Sequence, residues 1–327
     1  MVMYWIFVLG ISTLLYVLLD GADLGVGMLF GVTRDAARRE AMVSAVAPIW
    51  DGNETWLVVA VVVLWGAFPP VYATLFSAFY LPVLLMVAGL ILRGVAFEFR
   101  HQTQRGQWVW DASFAGGSLV AAFIQGMIVG ALVQGLPMGH GRYTGGQLGW
   151  FSPFAVLCGL GLVIGYALLG AGWLVLKGEG KVRDDAFRLI PRLALGLLAF
   201  LVVVFGYALV ENLAVLGRWL ERPYMFACPA IGIVAAIVLA ASVLRRWDGW
   251  PFYMIALMFA AAFVTLAISF WPYMIPFSIT IDQAAAPHST LAFMFWGEGL
   301  FVFPLLLVYT AVSYTVFRGK VKPAAHY

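Results

Sequence analysis

The sequence predicts an all-α integral membrane protein of about nine transmembrane helices, and three observations carry that prediction. Hydrophobic residues make up 63% of the chain and charged residues 11%, whereas a soluble domain carries about 25% charged residues. Apolar windows of about 20 residues, each long enough for one span, recur from one end of the sequence to the other. The basic residues alternate between loops: fifteen Lys and Arg follow odd-numbered windows or lie in the tail, and only Arg142, Arg218 and Arg222 follow even-numbered ones. This bias puts the C-terminus in the cytoplasm and the N-terminus outside. The windows occupy so much of the 327 residues that no separate soluble domain fits. Residues 1–327 therefore read as a single polytopic membrane domain.

The first window, 3–30, follows no basic leader and carries no Ala-x-Ala cleavage site, so it is kept as a span. The second and third, 53–72 and 75–98, are expected to form a tight hairpin joined at Pro69-Pro70. The fourth, 113–135, runs into the loop Gly135–Gly149. The fifth, 153–176, and sixth, 190–211, are separated by the charged breaker Lys177–Asp185. The seventh, 224–244, follows Glu221–Pro223. The eighth, 251–272, and ninth, 290–316, flank the loop Pro272–Ser289. Windows four and eight both run into proline-containing loops, so two four-helix bundles plus one extra helix is one open arrangement. A bundle without that repeat is the other.

Acids inside apolar spans are costly and need a partner or a task. Asp20 and Asp23 lie one helical turn apart, sharing a face with Tyr16 and Gly27; the plainer reading is that they lie near the cytoplasmic end and only cap the helix or pair with Arg34 or Arg38. Two such carboxylates do not both ionise in a low dielectric unless a cation is near. Gly21 and Gly25 form a small-xxx-small pair that admits a neighbouring helix closely. Asp51, Asn53 and Glu54 interrupt the apolar run from Ala41 to Tyr72. One reading makes Asp51 a helix N-cap with Glu54 as its capping-box partner. The other makes 41–72 a single helix kinked at Pro48, about 48 Å long at 1.5 Å per residue, which carries Asp51 into the protein. Arg93 is the one basic residue inside a span, and it is expected to pair with Asp20, Asp23, Asp51 or an anionic headgroup. Glu98 and Arg100 close the third span. Gln125, Gln134, Glu211, Asn212 and Glu298 complete the polar set.

The residues that are missing narrow the chemistry. His101, His140, His288 and His326 all fall in loops, span ends or the tail, and a membrane haem needs ligands at depth. No cluster suggests zinc or copper, and Cys158 and Cys228 form no disulfide framework. A Walker loop and a dinucleotide fingerprint are both absent.

Several stretches together carry a resemblance. They are Asp20–Gly27 (Asp-Gly-Ala-Asp-Leu-Gly-Val-Gly), Pro48–Leu57 (Pro-Ile-Trp-Asp-Gly-Asn-Glu-Thr-Trp-Leu), Phe68-Pro69 with Tyr72-Ala73, and Arg93–Arg100 (Arg-Gly-Val-Ala-Phe-Glu-Phe-Arg). Val133–Pro137, Ser269–Pro276 with Ser278–Thr280, and Tyr309–Ala311 with Tyr314 follow in order. The chain resembles subunit II of the cytochrome bd-type quinol oxidases, including the cyanide-insensitive branch, over essentially its whole length. That resemblance implies a haem-free subunit in a bacterial inner membrane, paired with a subunit I that holds haem b, haem d and the quinol site. It also implies quinol and oxygen as substrates of the complex, an oxygen-reducing, electrogenic reaction, and a proton path from the cytoplasm. Asp20, Asp23, Asp51, Glu54 and Glu98 are the candidates for that path, with Arg93 and Arg100 as charge partners. A small single-span accessory subunit and a structural quinone are further expectations, the quinone with no assigned residues. The competing function is a proton-coupled secondary transporter, which needs intramembrane acids at broken helices near mid-membrane. A purely structural assembly subunit is the third.

Overall fold

The computed structural model describes residues 1–100, 102–103, 105–139, 141–211, 217–219 and 222–321. His101, His140, Asn212, Glu221, Lys322 and His326 lie outside them. The chain is helical almost throughout. α1 (Val2–Val32) is followed by α2 (Ala36–Val46), α3 (Trp50–Ala67), α4 (Pro69–Ala78), α5 (Tyr80–Arg100) and α6 (Gln107–Gln134). After the short strands β1 (Met138–Gly139) and β2 (Arg142–Tyr143) come α7 (Pro153–Lys177), α8 (Gly180–Val210), α9 (Ala227–Leu244) and α10 (Trp250–Phe270). The strands β3 (Tyr273–Ile275) and β4 (Ile279–Thr280), the one-turn α11 (Ile281–Ala284), α12 (His288–Met294) and α13 (Val302–Val316) complete it. Among the described residues eight helices are long and apolar enough to span a membrane, or nine if the pair α2–α3, bent by 49°, is counted as one span.

Four expectations need correction. Pro69 and Pro70 do not make a hairpin turn; they occupy the first positions of α4, where proline loses no helical hydrogen bond. α4 therefore stands between the second and third spans. The stretch Lys177–Asp185 is a loop only at Gly178 and Glu179, because α8 resumes at Gly180 and carries its charged turns beyond the apolar span. Asp51 is also not an N-cap. α3 begins at Trp50 with no side-chain cap, since Ile49 N–H donates to Val46 O at 3.0 Å and the chain stays nearly helical through the bend at Pro48. The single helix expected over 41–72 does not form either: it breaks between Val46 and Trp50 and again at Phe68, and Asp51 is exposed instead of being carried into the protein. The capped start lies earlier, where Asp35 accepts from Arg38 N–H at 2.9 Å. That bond holds the Asp35 carboxyl below the usual range.

α1 is the axis of the packing. A Cβ on Gly21 would sit 2.6 Å from the Tyr166 ring, and one on Gly25 would lie 2.8 Å from Gly170 N and overlap Tyr166 O. α7 can therefore lie against α1 backbone to backbone. One apolar cluster, with Trp5, Tyr16 and Trp56, fills one half of the bundle. A second, with Val26, Phe30 and Trp173, fills the other. The acids of α1 lie where the two meet.

Candidate functional site: an arginine among three carboxyls

Arg93 comes from the middle of α5 and is wholly buried, as are Asp20, Asp23 and Asn53. Its Nη1 lies 2.7 Å from Asp20 Oδ1, and its Nη2 donates to Glu54 Oε2 at 2.9 Å. α1 and α3 thus each present an acid to one guanidinium, and Gly89 and Gly117 let α5 and α6 approach closely behind it. Asp23 is held separately: Asn53 Nδ2 donates to Asp23 Oδ2 at 2.7 Å, and Tyr314 on α13 donates to Asn53 Oδ1 at 3.1 Å. One turn further along α1, the Tyr16 hydroxyl accepts from Gln125 Nε2 at 2.7 Å, and Tyr166 donates to Gln125 Oε1 at 2.9 Å.

The charges do not balance by themselves. One guanidinium faces three carboxyl groups, so the set is neutral only when two of the carboxyls hold protons. Asp20 Oδ2, Asp23 Oδ1 and Arg93 Nε are buried with no protein hydrogen-bond partner, unlike most buried polar atoms. Asp23 thus keeps an oxygen open to a proton. Exposure falls in steps: Asp51 is exposed, Glu54 one turn along α3 is 26% exposed, and Asp20 and Arg93 are at 0%.

The family model for cytochrome bd terminal oxidase subunit II matches residues 1–317. The chain belongs to that family. It is 30% identical to the probable cytochrome oxidase subunit 2 of Haemophilus influenzae, over 91% of this chain and 87% of that one. It is 29% identical to the cytochrome bd-I ubiquinol oxidase subunit 2 of Escherichia coli K12, over 97% and 94% of the two chains. The fold is similar to that in the bd oxidase structure from Geobacillus thermodenitrificans, with a TM-score of 0.79, 17% identity and 96% coverage of both chains. As a bd-oxidase subunit II, the chain is part of an oxidoreductase complex, and family membership displaces the transporter reading.

Of the residues singled out in the sequence, the structure brings Asp20, Asp23, Glu54 and Arg93 together. Arg93 takes Glu54, not Asp51, as its second acid because it is Glu54 that α3 turns inward. Arg100 belongs to a second cluster, where it meets Asp111 at 2.8 Å and Glu40 at 2.7 Å, with Arg39 on the other Asp111 oxygen at 2.9 Å. Glu98 is exposed, as are Glu211 and Glu298, the last in a π-helical turn at Phe295–Gly299. Gln134 accepts from Ser152. Asn53, Tyr314 and Asp111 were not selected as site residues in the sequence. Asp111, a lone acid at the start of an apolar span, was the detectable signal. Among the described residues no three His, Cys, Asp or Glu side chains are grouped to hold a metal ion.

Proposed function

We propose that this chain is the haem-free subunit II of a bd-type quinol:oxygen oxidoreductase and contributes a proton-uptake path to a haem-bearing subunit I. The chemistry with quinol and oxygen takes place in the partner. Subunit II takes up protons at Asp51, passes them to Glu54, and holds them among Asp20, Asp23 and Arg93. The observation that carries this reading is the stepwise burial from exposed Asp51 to a guanidinium shared by Glu54 and Asp20. Glu98 stands at the rim of the same helix as Arg93, and Arg100 fixes the ends of α2, α5 and α6 around the inlet. The alternation of basic residues supports an N-terminus outside and a C-terminus in the cytoplasm of a bacterial inner membrane. The antiparallel hairpins β1–β2 and β3–β4, which follow the fourth and eighth spans, support reading residues 1–327 as two four-helix bundles plus one extra helix. A single-span accessory subunit and a structural quinone remain expectations from the family.

The test is Asp51→Asn in the purified complex, reconstituted in proteoliposomes. The substitution keeps size and hydrogen bonding but removes the titratable proton. The expected result is normal assembly and an unchanged haem spectrum, with proton uptake and quinol turnover at least about tenfold slower, as when a positioned proton carrier is lost. Unchanged turnover and uptake would make Asp51 a structural residue.

A further inference from the structure

At the end of the bundle where the basic residues gather, the tail after α13 folds back over the end of α7. Val321 N–H donates to Lys177 O at 2.8 Å. The Lys177 ammonium donates to Phe317 O and lies 5.0 Å from the centre of the Trp173 ring. Between this tail and the bend at Pro48 is a cavity of about 320 Å³, walled by Ser44, Pro48, Trp173, Lys177, Tyr314 and Lys320 among others. That size lies at the lower end of the roughly 300–1,000 Å³ of small-ligand pockets.

At this end of the bundle several cations face acids. Arg38 faces Asp185, Arg183 and Lys320 face Asp248, and Arg39 and Arg100 face Asp111. Lys177 is only 6% exposed, and among the described residues no carboxylate lies within ion-pair distance of it. A buried ammonium is costly without an anion, and a carbonyl with an indole face offsets only part of that cost. Lys320 adds a second positive group to the wall, although Asp248 already engages it.

We propose that this cavity binds a phosphate-bearing anion, with Lys177 as its charged contact and Trp173 and Tyr314 as its walls. Basic pockets at the ends of membrane helices bind anionic lipid headgroups in this way, and free phosphate carries the same chemistry. Tyr314 is the partition between the cavity and the acid cluster, because its hydroxyl turns away to Asn53, the residue that holds Asp23. The site stands on its own geometry and does not depend on the proton-uptake reading.

The experiment uses the assembled oxidase with Lys177→Gln, which keeps a donor for the Phe317 carbonyl but loses the charge, and Lys177→Arg, which keeps the charge. Ser44→Trp, which fills the cavity while leaving Lys177 in place, covers the case in which the Gln variant fails to assemble. After reconstitution with phosphatidylcholine and phosphatidylglycerol and re-extraction, native mass spectrometry counts the retained lipids. The wild type and the Arg variant are expected to keep one phosphatidylglycerol more than the Gln and Trp variants. In parallel, inorganic phosphate is titrated at constant ionic strength against the thermal midpoint. Its apparent affinity is expected to fall at least about tenfold in the Gln variant, which loses a charge-assisted contact. A lipid difference assigns a headgroup, and a phosphate difference without one assigns the free ion. Equal lipid counts and equal phosphate responses in all four proteins would overturn the site and leave Lys177 as a clasp for the tail.

Discussion

Arg93 is the residue on which the buried acids depend, and its removal tests the cluster most directly. Arg93→Met leaves Asp20 without its counter-ion in the centre of the bundle. Breaking a buried pair from one side costs about 3–5 kcal/mol, so loss of assembled complex is expected on size-exclusion chromatography. Adding Asp20→Asn removes the stranded charge, and the double variant is expected to recover part of the stability. A double variant no more stable than Arg93→Met alone would deny the coupling. Glu54→Gln is expected to slow proton uptake about as much as Asp51→Asn, because Glu54 bonds Arg93 and does not cap a helix.

The contact between α1 and α7 decides whether the cluster is assembled at all. A Cβ on Gly25 meets the backbone of Tyr166 and Gly170, which no side-chain rotation can relieve, whereas Gly10 on the same helix has nothing within 4 Å of such a Cβ. Gly25→Ala is therefore expected to lower the yield and thermal midpoint of the complex sharply. Gly10→Ala is expected to change both little, or to raise them slightly through helix propensity worth about 1 kcal/mol. Equal behaviour of the two would mean that α1 and α7 do not need this approach. The bend between α2 and α3 belongs to the same scale, because it turns Glu54 toward Arg93 and leaves Asp51 outside.

Across the whole molecule, the alternation of basic residues predicts the orientation. A reporter active only in the cytoplasm, fused to the C-terminus, is expected to be active there; activity only of a periplasmic reporter would reverse the topology. The charge-rich end also has a pH dependence. Burial alone raises the Asp248 carboxyl, but Arg183 and Lys320 outweigh it and hold the group below the usual range. A depressed carboxyl contributes its stability above the unfolded pKa of about 4 and loses it as pH falls through the lower folded value. A spin label at position 319 is thus expected to stay immobile from neutral pH to about pH 4 and to loosen only below it. Asp248→Asn is expected to loosen it at every pH. The side chains are about one-third exposed, so the tie contributes at most about 1 kcal/mol and weakens with salt.

By itself the sequence determined the membrane class, a span count of eight to nine, and the family. Hydropathy windows and charge bias follow directly from the thickness and chemistry of a bilayer, and motifs need no coordinates. It also marked Asp20, Asp23, Glu54 and Arg93 as residues needing a partner or a task, since charge in an apolar run is costly, but it marked Asp51 and Glu98 equally, and these are exposed. Only the tertiary structure decided their partners. Which of Asp51 and Glu54 meets Arg93 depends on the rotation of α3 after the bend at Pro48, and a residue spacing of three leaves that rotation open. The links from Asp23 to Asn53 and on to Tyr314 join residues as much as 291 positions apart, and the match of Arg100 to Asp111 and Glu40 joins three helices. These contacts are set by how the helices pack, and local sequence carries no record of that geometry.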